Sequence, residues 1–367
     1  MRIVVVHPHS WPNVRRGGER YAHGLVRYLV EAGHDVDFVT YGRPAAEHLY
    51  GARLVHLPAR VMELAARTKV DPTRSVGAVA MPFLARGNYD VIHAFVPSVA
   101  LAAKAVGKPS VYTELGHRDA RWAKAHPVGA FELRTAAKAA AQVTALSTSA
   151  AAALEPVIGR PADVVPPGVW LDDFTPNLAA RSGPPVVLFN SDPTEAAKRL
   201  HFLIRAFPLV LDVHPDARLS IAMGTEGQAE GAFELAGAAA ARVRAATDFP
   251  GQGSLGEVPG RYRAATVTVL PSEWEGFGLV AVESLACGTP VVATASGGPL
   301  DIAEGTDVVR TYPVSAIRSL AGAILDAVAL ARTEGTAARC VAQAARFEWS
   351  AHAGPLHEEV YERAAKS

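Results

Sequence analysis

The chain has 367 residues, more than a single hydrophobic core usually supports, so two domains are expected. Hydrophobic residues make up 49% of the chain and charged residues 20%, which is typical of an ordered globular protein and excludes a disordered one. Because 36 Lys and Arg balance 36 Asp and Glu, the composition argues against a dedicated nucleic-acid-binding protein, which would carry a basic excess.

The first half of the chain alternates short apolar runs with helical patterns. Residues 2–7 predict a buried strand, which a Gly-rich turn connects to a helix over 19–32. Further strands are predicted at 34–41, 52–57, 91–95, 110–113 and 143–146. This alternation is typical of a parallel sheet covered by helices on both faces.

A second series of the same kind follows. Its predicted elements are a strand at 185–190, a helix at 200–211, a strand at 218–223, a helix at 233–246, and strands at 267–270 and 290–294. Between the two series, the Pro-Pro-Gly cluster within residues 164–174 predicts a linker. We therefore expect one domain over 1–170 and a second over 171–350. The last helix, within 351–367, is expected to join the first domain, because the second sheet is already complete.

The expected fold class is thus α/β, with two Rossmann-like, doubly wound parallel-sheet domains facing one another across a cleft. Ligands of such sheets bind at the carboxyl ends of the strands. The informative motifs of this sequence fall on the loops at those ends.

The most informative motif follows the strand that ends at residue 270. Gly276 and Gly278 allow the backbone to turn sharply, and a helix begins near Leu279, whose free N–H groups favour phosphate oxygens. Glu275 stands before this helix start and Glu283 about 7 Å further along the axis. Two carboxylates on either side of an anion site suit a ligand with hydroxyl groups at both ends and a diphosphate between them.

Taken singly, Glu275 is better interpreted as a helix cap and Glu283 as a solvated helix residue. Together with the glycines and the run Ala-Cys-Gly-Thr-Pro at 286–290, they form a specific pattern. This pattern resembles glycosyltransferase family 4, retaining enzymes of the GT-B fold. The resemblance covers nearly the whole chain, with further matching segments at 17–19, 33–36, 89–93, 165–169, 262–265 and 270–272.

The resemblance implies transfer of a sugar from a nucleotide-diphosphate sugar to an acceptor hydroxyl, with retention of configuration and without a metal or other cofactor. The first domain would bind a small-molecule or glycan acceptor, and the second domain would bind the donor. No nucleic-acid partner is implied. Glu275 would contact the transferred sugar, assisted by backbone N–H groups from Phe277 to Leu279. Glu283 would accept hydrogen bonds from the ribose hydroxyls.

The family also implies a phosphate site. Gly17 and Gly18 would admit the diphosphate close to the backbone, although a plain strand-to-helix turn explains them equally well. Lys198 and Arg199 resemble the family's cationic donor site, with a solvated helix start as the alternative. The family usually has an Arg in a Gly-Arg pair where residues 190–192 read Asn-Ser-Asp, so Arg199 is the candidate substitute.

Two further positions depart from the family pattern. The loop at Gly251 is expected to contact the nucleotide base, but Gln252 and Gly253 replace an apolar pair. The family places a His near the sugar, and an ungapped match puts Leu115 there. His117 is the candidate for the role, and a surface loop histidine is the alternative.

Other chemistry has weaker support. Asp35 and Asp37 match a metal-binding Asp-x-Asp only superficially, because they lie within an alternating strand, and we expect no metal site. The rival functions are another nucleotide-sugar enzyme of the same fold (an epimerase or a non-sugar coupling enzyme) and a non-catalytic nucleotide-sugar-binding protein. The locally basic residues 104–138 are interpreted as a solvated face, with an acceptor phosphate site or a weak membrane-surface patch as alternatives.

The cellular location is inferred from simple patterns. Residues 1–10 enter a strand-like run without the features of a signal peptide, and no uncharged apolar run approaches the roughly 18 residues needed to span a bilayer. Cys287 and Cys340 are the only cysteines, which favours a reducing compartment. We expect a cytoplasmic protein, with membrane association as the less favoured alternative.

Overall fold

The computed structural model divides the chain into two compact units. The N-terminal unit comprises residues 1–168 and 349–367, and the C-terminal unit comprises residues 169–348. The final helix therefore belongs to the N-terminal unit. The residues that the structure describes are 1–10, 14, 16–42, 47–58, 71–177 and 183–367.

The strands of the described residues fall into two series, eight in the first unit and six in the second. They are β1 (Arg2–Val6), β2 (Asp35–Tyr41), β3 (His48–Leu49), β4 (Ala52–Leu57), β5 (Val91–Ala94), β6 (Ser110–Glu114), β7 (Gln142–Ala145), β8 (Asp163–Val164), β9 (Val186–Phe189), β10 (Arg218–Ile221), β11 (Thr247–Asp248), β12 (Val267–Leu270), β13 (Val291–Thr294) and β14 (Val309–Tyr312).

Helices alternate with these strands. They are α1 (Gly17–Glu31), α2 (Val76–Arg86), α3 (Pro97–Ala105), α4 (Ala120–Ala125), α5 (Pro127–Ala139), α6 (Thr148–Ile158), α7 (Leu200–Val213), α8 (Glu226–Ala236), α9 (Ala240–Ala245), α10 (Val258–Ala264), α11 (Leu279–Ala286), α12 (Pro299–Ala303), α13 (Ile317–Ala331), α14 (Thr336–Ala345) and α15 (Gly354–Ala365).

The N-terminal sheet runs in the order β3-β4-β2-β1-β5-β6-β7-β8, and its described strands are parallel except for β3 against β4. The strand β1 is central because its side chains from Ile3 to Val6 are apolar and fully buried. The order proceeds outward from β1 in both directions, which makes the sheet doubly wound and leaves its switch point between β1 and β5.

The last part of the chain packs into the N-terminal unit around Trp349. A Cβ atom added at Gly24 on α1 would lie 2.6 Å from the Trp349 indole, and one added at Gly168 would also lie 2.6 Å from it. The indole therefore fits against α1 only because both positions lack a side chain. This contact anchors the segment that leads into α15.

The C-terminal sheet runs in the order β11-β10-β9-β12-β13-β14, and all of its described pairs are parallel. It is doubly wound with its switch point between β9 and β12, so the predicted fold class is confirmed for each unit. Two short edge strands, β11 and β14, were not predicted. The single helix predicted over 233–246 is wrong: Gly237, at a left-handed φ of 64°, separates α8 from α9.

Candidate functional site

The candidate donor site lies at one edge of the C-terminal sheet. Because β9, β12 and β13 are parallel, the loops that follow them meet at the same edge. Asn190 follows β9, Glu275 follows β12, and Gly297 follows β13. The switch point between β9 and β12 lies at this edge, where ligands of doubly wound sheets bind.

Glu275 is held in a charged cluster. Its Oε1 atom accepts hydrogen bonds from Lys198 Nζ at 2.7 Å and from Ser272 Oγ at 2.6 Å. The side chains of Lys198 and Glu275 are 24% and 15% exposed, so the ion pair is oriented by its surroundings and still reached by solvent. Among the described residues no hydrogen bond reaches Oε2, which leaves this oxygen for a ligand. The sequence predicted both residues as site residues, but not their contact.

The loop that carries Glu275 is locked against the loop after β13. A Cβ atom added at Gly297 would lie 2.1 Å from the Glu275 carbonyl oxygen, and one at Gly298 would lie 2.3 Å from the Phe277 Cα atom. The Gly298 N–H donates to the Glu275 carbonyl oxygen at 2.9 Å. Only glycine permits this approach of two backbones. These two glycines carry no motif of their own, and the sequence did not predict their role.

At the start of α11, a ligand would contact backbone N–H groups and not side chains. Gly278 adopts a left-handed φ of 99° and precedes Leu279, the first residue of the helix. The Phe277 side chain is buried and packs edge-on against Phe347, with ring centroids 5.2 Å apart. Any contact of Phe277 with a phosphate would therefore use its N–H group. Gly276 lies in the same turn and lets the chain bend before the helix.

Glu283 lies inside a buried hydrogen-bond chain. Tyr262 Oη donates to Glu283 Oε2 at 2.6 Å, and Asn190 Nδ2 donates to Tyr262 Oη at 2.7 Å. All three residues are less than 5% exposed. Asn190, which lies in the segment that replaces the family's Gly-Arg pair, thus acts in orienting the carboxylate. Sequence reasoning missed Tyr262 and this use of Asn190, because they come from two other elements.

Arg199 is engaged by other protein groups. Its guanidinium pairs with Glu273 at 2.8 Å, donates to Ser315 Oγ at 2.9 Å and stacks 5.1 Å from the Phe202 ring centre. Arg199 has a left-handed φ of 51° at the start of α7, and Ser315 has one of 66°. The adjacent cations Lys198 and Arg199 are therefore directed to different acids. Their joint role at a diphosphate stays a prediction.

The loop predicted to contact the base is tied to the end of β10. Arg261 Nη2 donates to the Gly251 carbonyl oxygen at 2.6 Å, and Gln252 Nε2 donates to the Met223 carbonyl oxygen at 3.3 Å. Gly251 and Gly253 have left-handed φ values of 79° and 58°. Arg261 was not among the predicted residues, and it sets the path of this loop.

In the N-terminal unit, the first turn of α1 lies against the ends of β1 and β6. A Cβ atom added at Gly18 would lie 3.2 Å from Leu115 Cδ1 and 3.4 Å from His7 Nε2, whereas at Gly17 it would meet nothing within 4 Å. Leu115 is the residue that the ungapped family match puts in the place of the His. Burial lowers the pKa of His7 to about 4, so its ring is neutral near pH 7.

His117 lies on the loop between β6 and α4. Its Nε2 atom is 3.5 Å from Asp119 Oδ2, and its side chain is 29% exposed. Burial lowers the pKa of His117, although Asp119 opposes this effect. A neutral, partly exposed imidazole can donate or accept a hydrogen bond from a sugar hydroxyl. Its role near the sugar stays a prediction.

The Asp-x-Asp match on β2 has a structural explanation. Asp37 is buried and accepts hydrogen bonds from Arg53 at 2.7 and 2.6 Å and from the Tyr89 hydroxyl. Asp35 is exposed and pairs with Arg2 at 3.3 Å. In the part of the chain that the structure describes, no group of three His, Cys, Asp or Glu side chains could hold a metal ion. None of the described helices is both long and apolar enough to cross a bilayer.

The architecture of two doubly wound parallel-sheet units is that of the GT-B glycosyltransferases. Residues 15–173 match the model of glycosyltransferase family 4, and residues 173–346 match the model of glycosyl transferases group 1. The two matches together run from residue 15 to residue 346. The chain belongs to glycosyltransferase family 4, which confirms the resemblance found in the sequence.

Individual relatives agree with this assignment. D-inositol 3-phosphate glycosyltransferase of Corynebacterium jeikeium is 33% identical over 214 residues, which are 53% of this chain and 50% of that protein. The chain spans about half the length, or less, of the curated relatives it matches. Sucrose-phosphate synthase from Thermosynechococcus elongatus has a TM-score of 0.82 at 22% identity, over 100% of both chains. Anabaena HepE in complex with UDP-glucose has a TM-score of 0.76 at 18% identity, over 99% of this chain and 100% of that one.

Proposed function

We propose that the chain is a retaining glycosyltransferase that uses a nucleotide-diphosphate sugar and requires no metal. The observation that carries this proposal is the Glu275 carboxylate, held by Lys198 and Ser272 directly before a helix start. The similarity to HepE, solved with UDP-glucose, and to proteins named as glycosyltransferases supports the same reaction class. UDP-sugars are the donors to test first.

In the proposed reaction, the bond between the anomeric carbon and the donor phosphate oxygen breaks while the acceptor oxygen bonds to the same face of that carbon. The acceptor hydroxyl gives its proton to an oxygen of the departing diphosphate, so no protein base is consumed. Positive charge develops on the sugar and negative charge on the diphosphate, and groups fixed in advance stabilise both. The carboxylate of Glu275 suits the first charge. Lys198, Arg199 and the N–H groups from Phe277 to Leu279 suit the second.

The remaining contacts are assigned by unit. In the C-terminal unit, Glu283 accepts hydrogen bonds from the ribose, and the backbone at 251–253 contacts the base. In the N-terminal unit, Gly17 and Gly18 admit the diphosphate, and His117 contacts the sugar. The acceptor is a small molecule or glycan, and phosphorylated polyols come first because the curated relatives are named for one. A cytoplasmic location stays a prediction.

The first experiment measures thermal unfolding of the protein with nucleoside diphosphates and their sugars. The correct donor at a hundredfold excess over its Kd stabilises the folded protein by about 2.7 kcal/mol. Mass spectrometry and NMR of mixtures with polyol and glycan acceptors then identify a product and its anomeric configuration. We expect an acceptor-dependent product with the configuration of the donor sugar.

Other outcomes identify the rival functions. A donor altered without any acceptor indicates an epimerase or related enzyme of the same fold. Donor binding with no product over the whole acceptor panel indicates a binding protein. That rival rests on the family's Arg missing from residues 190–192 and on the shifted position of His117. If no nucleotide or nucleotide sugar raises the unfolding temperature, the proposal is wrong.

A further inference from the structure

The helices α4 and α5 of the N-terminal unit present an uncovered apolar surface. Phe131 is 68% exposed and Val128 is 59% exposed, and these two residues lie one turn apart on α5. Lys138 follows Phe131 by seven residues, which places it on the same face of the helix. An aromatic ring with two-thirds of its surface in water receives no stabilisation from the fold itself.

Exposed basic side chains lie on the same helix as this apolar pair and on the helix before it. Arg121 and Lys124 on α4 and Lys138 on α5 are exposed. Within the described ranges, none of these three side chains has an acidic group within the 4.0 Å of an ion pair. The sequence between residues 118 and 138 holds five Lys or Arg and two Asp or Glu, although the whole chain is neutral. The surface is therefore locally cationic.

The two acids of this segment are already engaged. Asp119 caps α4, because its Oδ1 atom accepts a hydrogen bond from the Trp122 N–H at 2.7 Å. Glu132 pairs with Arg74 at 3.0 Å. Neither acid is paired with the three exposed cations. We call the surface formed by Arg121, Lys124, Val128, Phe131 and Lys138 the Phe131 patch.

A second exposed apolar side chain provides a contrast. Leu235 on α8 is also 68% exposed, but α8 carries Glu226, Glu230 and Glu234. Glu226 and Glu230 pair with Arg244, and Glu234 adds a further negative charge. An anionic partner is therefore attracted to the surroundings of Phe131 and not to those of Leu235. The combination of apolar and basic groups, and not exposure alone, sets the Phe131 patch apart.

We propose that the Phe131 patch docks onto an anionic lipid surface. Phe131 and Val128 enter the headgroup region, and the three cations contact lipid phosphates, as on an interfacial amphipathic helix. A nucleic acid would use the cations but would leave the apolar pair uncovered. The patch follows the loop of residues 115–119 directly, so docking brings that loop to the lipid surface. The proposal concerns binding alone and does not depend on the proposed activity.

The test is flotation of the full chain with phosphatidylcholine vesicles, with and without about one third phosphatidylglycerol. We expect binding only to the anionic vesicles, and its loss in about 0.5 M salt. Phe131→Asp should abolish binding. Lys124→Glu/Lys138→Glu should weaken it more than tenfold, since each basic residue near such a surface contributes about fivefold.

Two matched controls separate the patch from general charge and hydrophobicity. Leu235→Asp removes an equally exposed apolar side chain, and Arg318→Glu/Arg332→Glu reverses two exposed cations on α13. Both should bind like the wild type. Absence of binding to anionic vesicles, equal binding to neutral vesicles, or equal effects of Phe131→Asp and Leu235→Asp would overturn the proposal. Binding of an oligonucleotide or a protein that depends on the patch, without vesicle binding, would also overturn it.

Discussion

Two clusters of polar side chains, one in each unit, differ in charge. In the C-terminal unit, Lys198 and Glu275 form an ion pair at a sheet edge that water still reaches. In the N-terminal unit, His93 and His357 are buried and uncharged among hydroxyl groups. In this pair of clusters the charges lie where a ligand can reach them, and the neutral hydrogen bonds lie where a helix is joined to the sheet.

The N-terminal network attaches the last helix to the sheet. A hydrogen bond of 2.6 Å joins Tyr361 Oη to His93 Nδ1, and another of 2.9 Å joins His93 Nε2 to Thr113 Oγ1. One turn earlier on α15, Tyr21 Oη and His357 Nε2 are 2.7 Å apart. The bonds of Tyr361 and His357 link α15 to β5 and α1 through partners more than 200 positions apart, and the bond between His93 and Thr113 extends the link to β6. Because each of these polar groups has a hydrogen-bond partner, the fold tolerates their burial.

The largest effect is expected from removing the charge of Glu275 in the charged cluster. Glu275→Gln keeps the size of the side chain but removes the charge that is proposed to stabilise the reacting sugar, so kcat should fall by about two to three orders of magnitude. Steady-state transfer assays measure it. Glu304→Gln is the matched control, because Glu304 pairs with Arg346 at 3.6 Å on the exposed surface. Equal kcat for Glu275→Gln and wild type would remove the role of Glu275.

The second prediction is that acid destabilises the fold through its buried neutral histidines. Burial lowers the pKa of His7, His23 and His357 to about 4, and that of His93 well below its usual value. Between about pH 6.5 and 4 the unfolded chain binds these protons and the folded chain does not. The free energy of unfolding should therefore be complete above pH 6.5 and fall by about 1.4 kcal/mol per pH unit and histidine below it. Burial raises the pKa of Glu19, which opposes this loss.

Urea unfolding at a series of pH values measures this slope. His357→Gln removes one of the protons taken up on unfolding, so the slope should fall by about one histidine's share. His214→Gln is the control, because this partly exposed histidine follows α7 in the C-terminal unit. An unchanged slope in His357→Gln would contradict the prediction.

The third prediction concerns the packed glycines of the donor site. Gly298→Ala puts a methyl group 2.3 Å from the Phe277 Cα atom, and a backbone atom cannot move aside easily. We expect a loss of about 1–3 kcal/mol in the free energy of unfolding, measured in urea. Gly322→Ala on α13 meets no atom within 4 Å and should instead stabilise by about 0.5–1 kcal/mol. An unchanged free energy of unfolding in Gly298→Ala would mean that the two loops can separate at little cost in free energy.

The smallest effect is expected from two Tyr→Phe variants, one in each unit. Tyr262→Phe removes the donor to Glu283 Oε2 and should weaken binding of the nucleotide-sugar donor about tenfold, which is about 1.4 kcal/mol. Tyr361→Phe removes the partner of His93 and should lower the stability of the fold while leaving donor affinity unchanged. Isothermal titration and urea unfolding separate the two. Equal donor affinities for the two variants would contradict the assignment.

Much of the fold was predictable because periodic patterns are local. The alternation of strands and helices, the fold class and the family followed from short segments such as the run from Glu275 to Glu283. The misses have local causes as well. The strand β14 has mixed burial and therefore lacks a continuous apolar run, and Gly237 ends a helix within a stretch whose pattern predicts one continuous helix.

The candidate site was predictable only in part. Glu275, Lys198 and the helix start at Leu279 carry motifs and were found. Tyr262 and Arg261 carry no motif, and their roles exist only because other loops come close to them.

The sequence by itself determined the class of fold, the family and the loops that carry the candidate site residues, because these depend on patterns of neighbouring residues. Only the tertiary structure decided that Lys198 bonds Glu275 across 77 positions and that Asn190 and Tyr262 orient Glu283. The reason is physical: hydrogen bonds and close packing depend on distances of a few ångströms between atoms. Parallel strands set those distances for residues that are far apart in the chain.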